Sequence, residues 1–409
     1  MNTQHREIKN VMPMSPSKKT LSTSVPQLIT DNKELAALCK ELSEKPFITM
    51  DTEFMRENSY YAKLCLVQIG TETDGYLIDP LAPEINLQPL MELMTNPNVT
   101  KVFHSSRQDL EIIWNLGKVI PFPLFDTQVA AMVCGFGEAV SYEQLAQELA
   151  KAKIDKSSRF SDWARRPLTQ AQLFYALSDV THLVKVYLAL KNKLEKNGRT
   201  SWVSEEMAIL TSPSTYEVKP EDAWKRLSKR VRKPKEIAIL KEIAAWREQE
   251  AQQRDIPRGR VLKDDALIDI AVSAPLTIEE LARLRALPNG FEKSKSGIHI
   301  LKAVHNALEN IEQCEASQIK QHQTKSRKMV AMSELLKVLL KSVSEQEGVA
   351  SKLIASTEDL DNLIYDETLQ NPLLHGWRWQ IFGEQALALK NGEVALGIRK
   401  SKITVVPMK

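Results

Sequence analysis

Short runs with alternating apolar and polar positions open the chain, and long runs with apolar residues at helical spacing follow them. Pro46 bounds the first strong strand, Phe47-Ile48-Thr49-Met50-Asp51-Thr52-Glu53-Phe54, an apolar run that climbs into two carboxylates. Leu64-Cys65-Leu66-Val67-Gln68-Ile69, ended by Gly70, and Tyr76-Leu77-Ile78-Asp79, ended by Pro80, read as two more strands. The three predict an antiparallel meander. Ahead of them Asp31 is placed to cap a short helix, Asn32 to Leu42. A helix around Leu87 to Met94 leads to a fourth strand, Thr100 to Phe103. Ser105 or Ser106 can cap the next helix, which runs through Asn115 and carries Asp109, and Asp126 immediately precedes a helical run from Thr127 to Cys134.

Ser141-Tyr142-Glu143-Gln144 and Thr169-Gln170-Ala171-Gln172 are capping boxes, and the second opens a long helix reaching about Lys193. Strands first, then strand and helix alternating, predict an α/β domain on a mixed sheet over residues 25–215. Pro213, Ser214 and Pro220 break the pattern there. Beyond them Ile237, Leu240, Ile243 and Trp246 recur at helical spacing, and Thr277-Ile278-Glu279-Glu280 is a further capping box. Two all-helical units are expected, over 216–300 and 301–390, with a polar Gln/Lys/Ser-rich linker or helix end at 315–328. Residues 391–409 form a tail in which Asn391-Gly392 and Ile403-Thr404-Val405-Val406 allow a short hairpin.

A hydrophobic content of 43% and a charged content of 26% describe an ordinary soluble globular chain. The net charge of +3 is too small to identify a partner, so local charge must do so. Lys225, Arg226, Lys229, Arg230, Arg232, Lys233 and Lys235 crowd one short stretch with no acidic residue among them. Such a run is either a solvated face or a phosphate contact. Cys39, Cys65, Cys134 and Cys314 are widely spaced and form no CxxC pair, which argues against zinc and disulfide frameworks and for reduced thiols in a cytoplasmic protein. No run of 18 apolar residues exists, so no membrane span is expected. Residues 1–24 are polar, lack the apolar core of a secretory signal and read as a disordered lead-in, and Glu7 interrupts an organellar-targeting pattern.

The candidate chemistry is acidic. A strand with a side-chain period of two points Asp51 and Glu53 to one face, ~7 Å apart along the strand. Two anions so placed repel unless a divalent cation lies between them or water reaches them. Tyr175 and Asp179, four residues apart in the long helix, share a face, and an aspartate among so many apolar neighbours needs a partner or a metal. Asp109 by itself reads as a solvated first-turn acid favoured by the helix dipole. His104 alone reads as a hydrogen-bonded structural histidine, and Asp126 as an N-cap or buried structural acid. The stretch Lys156 to Arg166, with Phe160 and Trp163 interleaved, suits a phosphate-and-base contact loop or a merely solvated one.

Taken together, Asp51-Thr52-Glu53, Asp109 and Tyr175-x-x-x-Asp179 resemble the three motifs of the DEDD 3′–5′ exonuclease superfamily in its tyrosine-bearing branch, in the family's order over about residues 25–200. Asp51-Thr52-Glu53-Phe54 and Phe103-His104-Ser105-Ser106-x-x-Asp109-Leu110 look most like the ribonuclease D family. The resemblance implies a ribonuclease-H-like core and two-metal phosphodiester hydrolysis, with two divalent ions, Mg²⁺ or Mn²⁺, about 3.5–4 Å apart. It implies that Asp51, Glu53 and Asp179 bind the ion that activates water, and that Asp51 bridges to a second ion which Asp109 reaches through water. The Tyr175 hydroxyl would position that water, because a phenol of pKa about 10 is a poor base at neutral pH. Residues expected to contact substrate are His104, Arg107, Arg159, Arg165, Arg166, Arg230 and Arg232.

The first helical unit resembles the helicase-and-ribonuclease-D C-terminal (HRDC) domain through Lys233-Pro234-Lys235-Glu236, Trp246-Arg247 and above all Asp255-Ile256-Pro257-Arg258, which implies an auxiliary nucleic-acid-binding module. Leu373-Leu374-His375-Gly376-Trp377-Arg378 and Phe382-Gly383 resemble the C-terminal helical unit of bacterial ribonuclease D, a second HRDC-like domain. The implied activity is 3′–5′ exoribonuclease action that releases nucleoside 5′-monophosphates and trims tRNA precursors and other small structured RNAs with a 3′ single-stranded end. No feature requires a protein partner, and a monomer is expected. The rivals are a DNA exonuclease of the same superfamily, since nothing here reads a 2′-hydroxyl, and a catalytically inactive RNA-binding adaptor.

Overall fold

The expected meander forms the middle of a larger sheet. In the computed structural model, which describes residues 26–310, 327–365 and 371–408, six strands pair: β1 (Leu28–Ile29), β2 (Phe47–Met55), β3 (Lys63–Gly70), β4 (Gly75–Ile78), β5 (Thr100–Phe103) and β6 (Leu124–Asp126). Their order is β1-β4-β3-β2-β5-β6. β2, β3 and β4 are antiparallel, while β5 runs parallel to β2, β6 to β5 and β1 to β4. The sequence reading did not anticipate β1 and β6, because strands of two and three residues are too short to show a period. The central position of β2 explains its apolar start: Phe47, Ile48 and Met50 are buried, as a strand covered on both faces requires.

The helices of this domain are α1 (Asn32–Leu42), α2 (Gln88–Thr95), α3 (Arg107–Gly117), α4 (Thr127–Val133), α5 (Tyr142–Leu145), α6 (Gln170–Lys196) and α7 (Thr200–Leu210). Asp31 caps α1 through the N–H groups of Lys33 and Glu34, and both expected capping boxes, at Ser141 and Thr169, are formed. α6 is long and apolar enough in composition to cross a membrane, but half of its apolar window is buried within the protein. It lies across β2, β3 and β4, and the hydroxyl of Thr49 on β2 donates to the carbonyl of Val180 at 2.8 Å. Gly70, opposite Thr49 on β3, permits this approach, since a Cβ there would stand 2.4 Å from Thr49 Oγ1 and 2.8 Å from the Val180 carbonyl oxygen.

The first helical unit contains α8 (Pro234–Gln253), α9 (Arg258–Val261), α10 (Asp264–Ser273), α11 (Ile278–Ala282) and α12 (Lys295–Glu309), preceded by 3₁₀ turns over Pro220–Arg230. Leu227, Ile239, Leu240, Ile243, Leu267, Ile270, Ile300 and Val304 form its own core. The boundary expected at residue 300 therefore falls inside α12, whose inward face belongs to this bundle. Thr277 caps α11, but the reciprocal half of the box is absent: the Glu280 carboxylate accepts from the N–H of Leu276, not of Thr277.

The second helical unit, with its main helices at Arg327–Glu347 and Thr357–Tyr365, shares one continuous core with the α/β domain. Trp202 stacks on Trp377 at 4.7 Å and 12°, Arg199 pairs with Glu347 and Arg378 with Glu206. The tail is the hairpin Val394–Arg399/Lys402–Pro407, turning at Lys400 and Ser401, both at positive φ. Asn391-Gly392 instead follows the preceding helix, Glu384–Lys390. The lead-in at 1–24 and most of the linker at 315–328 lie outside the described residues.

Candidate active site

Four acids meet where β2 leaves the middle of the sheet. Asp51 and Glu53 come from β2 and Asp179 from the buried face of α6, and their carboxylate oxygens lie within 4.8 Å of one another. Asp109, in the first turn of α3, is only 6% exposed and accepts a hydrogen bond from the Thr52 hydroxyl, so it is no solvated dipole-facing acid. All four line one cavity of about 970 Å³, together with Tyr175, Tyr142, His104 and Gln108. The register of β2 against β3 shifts between Glu53 and Phe54, so the ladder is irregular where the site needs it to bend.

The electrostatics follow from crowding. Burial, and after it the charge of Asp179, pushes the Asp51 carboxyl up to about 8. Burial and then Asp51, Asp179 and Asp109 push Glu53 up to about 10, against the opposing pull of Arg159. Burial raises Asp179 to about 7, offset by its hydrogen bond with Tyr175 and by Arg159. Burial and Asp51 hold Asp109 well above the usual carboxylate range. Without a cation these acids keep protons that isolated carboxyls would lose. An all-oxygen donor set with this surplus of negative charge suits hard divalent ions, so Asp51, Glu53 and Asp179 fit a metal, with Asp109 on the wall of the same cavity. Burial, then the charge of Asp179, raises the Tyr175 phenol above its ordinary value, which keeps the hydroxyl protonated.

The residues expected to contact substrate divide. His104 is half-buried on the cavity wall, with Nδ1 3.0 Å from the Thr127 hydroxyl, and burial lowers its pKa. Arg159 lines the cavity beside Phe160, which is 92% exposed, with the guanidinium 5.4 Å from the ring centroid. Arg107 and Arg165 are exposed but do not line it. Arg166 turns inward, bonded bidentately to the buried Asp79 at 2.7 and 2.6 Å and to the Cys65 carbonyl. Trp163 is only 2% exposed and packs near Tyr175, so it is core rather than a free stacking ring. Arg230 and Arg232 lie outside the cavity in the helical unit, Arg230 paired with Asp265. Asp126 is structural: it accepts from the N–H groups of Ser105, Ser106, Gln128 and Val129 and from the Ser106 hydroxyl.

Among the residues that escaped the sequence reading, three lie against the acids. The Tyr142 hydroxyl donates to the Asp179 carbonyl at 2.5 Å and so pins the helix that carries Asp179. Thr52 holds Asp109. Gln68, cross-strand from Asp51, is wholly buried with neither amide atom hydrogen-bonded. Only for Thr52, wedged between two acids, did the sequence offer a signal.

A mixed sheet with β2 central, bearing paired acids at its end and faced by a helix with Tyr-x-x-x-Asp, defines a 3′–5′ exonuclease domain. The family model described as 3′-5′ exonuclease matches residues 26–195, and the HRDC domain matches 236–304. Ribonuclease D of Nitrobacter hamburgensis is 51% identical, over 93% of this chain and 99% of that protein, and Ribonuclease D of Granulibacter bethesdensis is 48% identical over 93% and 96%. The crystal structure of Escherichia coli RNase D, described as an exoribonuclease involved in structured RNA processing, superposes with a TM-score of 0.80 at 30% identity, covering 90% of this chain and 99% of that one. The chain belongs to the ribonuclease D family.

Proposed function

We propose that this chain is a 3′–5′ exoribonuclease that trims the 3′ ends of tRNA precursors and other small structured RNAs by two-metal-ion hydrolysis, releasing nucleoside 5′-monophosphates. The observation that carries the reading is the convergence of Asp51, Glu53 and Asp179 from β2 and α6 in one cavity with Asp109 and Tyr175. Two divalent ions bound there supply Lewis-acid charge at the scissile phosphate and an acidified water. Asp51, Glu53 and Asp179 would hold one ion, and Asp51 the other, which Asp109 would reach largely through water. Tyr175, its proton retained and hydrogen-bonded to Asp179, would position the nucleophilic water through its hydroxyl oxygen without taking the water's proton outright. Arg159 and Phe160 at the mouth offer a cation and an exposed ring to the 3′-terminal phosphate and base. A cytoplasmic setting is part of this reading, supported by the buried free thiols of Cys39, Cys65 and Cys134.

Digestion of a 3′-extended tRNA-like RNA, and of a DNA of the same sequence, with and without Mg²⁺ tests this. Stepwise release of 5′-monophosphates from the RNA alone, only with metal, is expected. Equal digestion of the DNA would move the chain to the DNA exonucleases, and binding without hydrolysis in any metal would make it an adaptor.

A further inference from the structure

The signature expected to mark a nucleic-acid contact, Asp255-Ile256-Pro257-Arg258, is engaged elsewhere. Asp255 follows α8 in the left-handed region at φ 45°, a conformation that L side chains adopt at a cost and that helix ends usually assign to glycine. Its carboxylate accepts the backbone N–H groups of both Tyr60 and Tyr61, each at 3.0 Å, in the loop that follows β2. Arg258 forks onto Glu248 at 2.5 and 2.6 Å, and Glu248, 1% exposed, also accepts from the Tyr60 hydroxyl. The Arg258 guanidinium stacks over the Tyr60 ring at 4.7 Å, and Arg260 reaches Asn58.

The loop so held is part of the nuclease site's frame. Three residues beyond Glu53, Arg56 lines the catalytic cavity and binds both carboxylate oxygens of Glu111 at 3.1 and 2.7 Å. Glu111 stands on α3 two residues after Asp109. Arg56 thus ties the strand that presents Glu53 to the helix that presents Asp109. Next to it, Asn58, Tyr60 and Tyr61 are tied to the helical unit. Neither Asp255 nor Arg258 lines the cavity.

We infer that Asp255 and Arg258 are positioning residues for hydrolysis: through the 56–61 loop, the helical unit sets the spacing of Glu53 and Asp109. The inference rests on the nuclease reading above and adds a role for the helical unit beyond gripping RNA. A misplacement of ligands remote from the mutation lowers turnover, whereas loss of an RNA contact raises KM for substrates long enough to reach it.

The test uses the full chain with saturating Mg²⁺, an RNA dinucleotide confined to the cavity and a 3′-extended tRNA-like RNA. Asp255→Gly removes the carboxylate while relieving the strained backbone, so its Tm stays near that of the parent, and Arg258→Met removes the fork independently. Both are expected to lower kcat on the dinucleotide by about tenfold or more, with KM changed by less than about twofold. Asp255→Asn, which keeps an acceptor oxygen and tolerates the left-handed region, is expected to recover most of the rate. If both variants turn over the dinucleotide at the parental kcat, or if only KM for the long RNA rises, the inference is overturned. An unmutated chain inactive on both RNAs would instead overturn the nuclease reading beneath it.

Discussion

Asp51 sits between two other acids, with Asp179 as its strongest charged neighbour, and the crowding that raises its pKa is also what would draw a cation to it. Asp51→Ala is expected to lower kcat by about 10³-fold or more, roughly 4 kcal/mol of barrier, while RNA binding persists. Parental turnover with metal supplied would remove Asp51 from the site. The pH dependence of stability has a definite sign. These acids hold protons in the folded chain at pH values where the unfolded chain has lost them, so metal-free stability is lost as pH climbs from the unfolded carboxylate range through about 7 for Asp179 and about 8 for Asp51. A divalent ion bound among them would take the place of those protons. The rise in Tm on adding Mg²⁺ should therefore be larger near about pH 8 than near about pH 6, and thermal melts at the two values check it. An equal rise at both would contradict the crowding.

Elements are placed by contacts that no period reveals. Gly70 lets α6 close on the sheet, and Asp179 adjoins the very carbonyl that a Cβ at Gly70 would strike. Gly70→Ala is expected to cost about 1–3 kcal/mol and to depress kcat with it, measured by melts and by turnover; an unchanged rate would mean that α6 absorbs the shift without moving its ligand. Arg166→Met leaves the Asp79 carboxylate buried without its fork and should cost about 3 kcal/mol, with no change in the salt dependence of RNA binding. A smaller salt slope would return Arg166 to the substrate path. The sequence placed Arg159 and Arg166 in one basic, aromatic stretch that suits a contact loop or a merely solvated one. It could not divide them, because Arg166 meets its partner 87 residues away, and such a pairing leaves no local trace. The capping boxes at Ser141 and Thr169, by contrast, were legible, since each closes within four residues.

At the scale of the molecule, the basic run at 225–235 is partly neutralised at home: Arg226 pairs with Asp264, Arg230 with Asp265 and Lys225 with Asp222. Arg232 is exposed. Arg232→Gln should then reduce the slope of log affinity for RNA against log salt by about one, and Arg230→Gln by less. Equal slopes in all three proteins would show the run to be a solvated face. The sequence alone determined the strand that bears Asp51 and Glu53, the order of the acidic motifs, the long helix and the helical character of the units at 221–308 and 329–387, because periodicity, caps and short motifs are written within one or two turns of chain. Tertiary structure alone decided that Arg56 and Arg159 line the cavity while Arg166 does not, that the second helical unit shares the nuclease core, and that Asp255 and Arg258 grip the loop after Glu53. Each of these depends on which distant surfaces come to bury one another, and that choice is made by the packing of the whole chain.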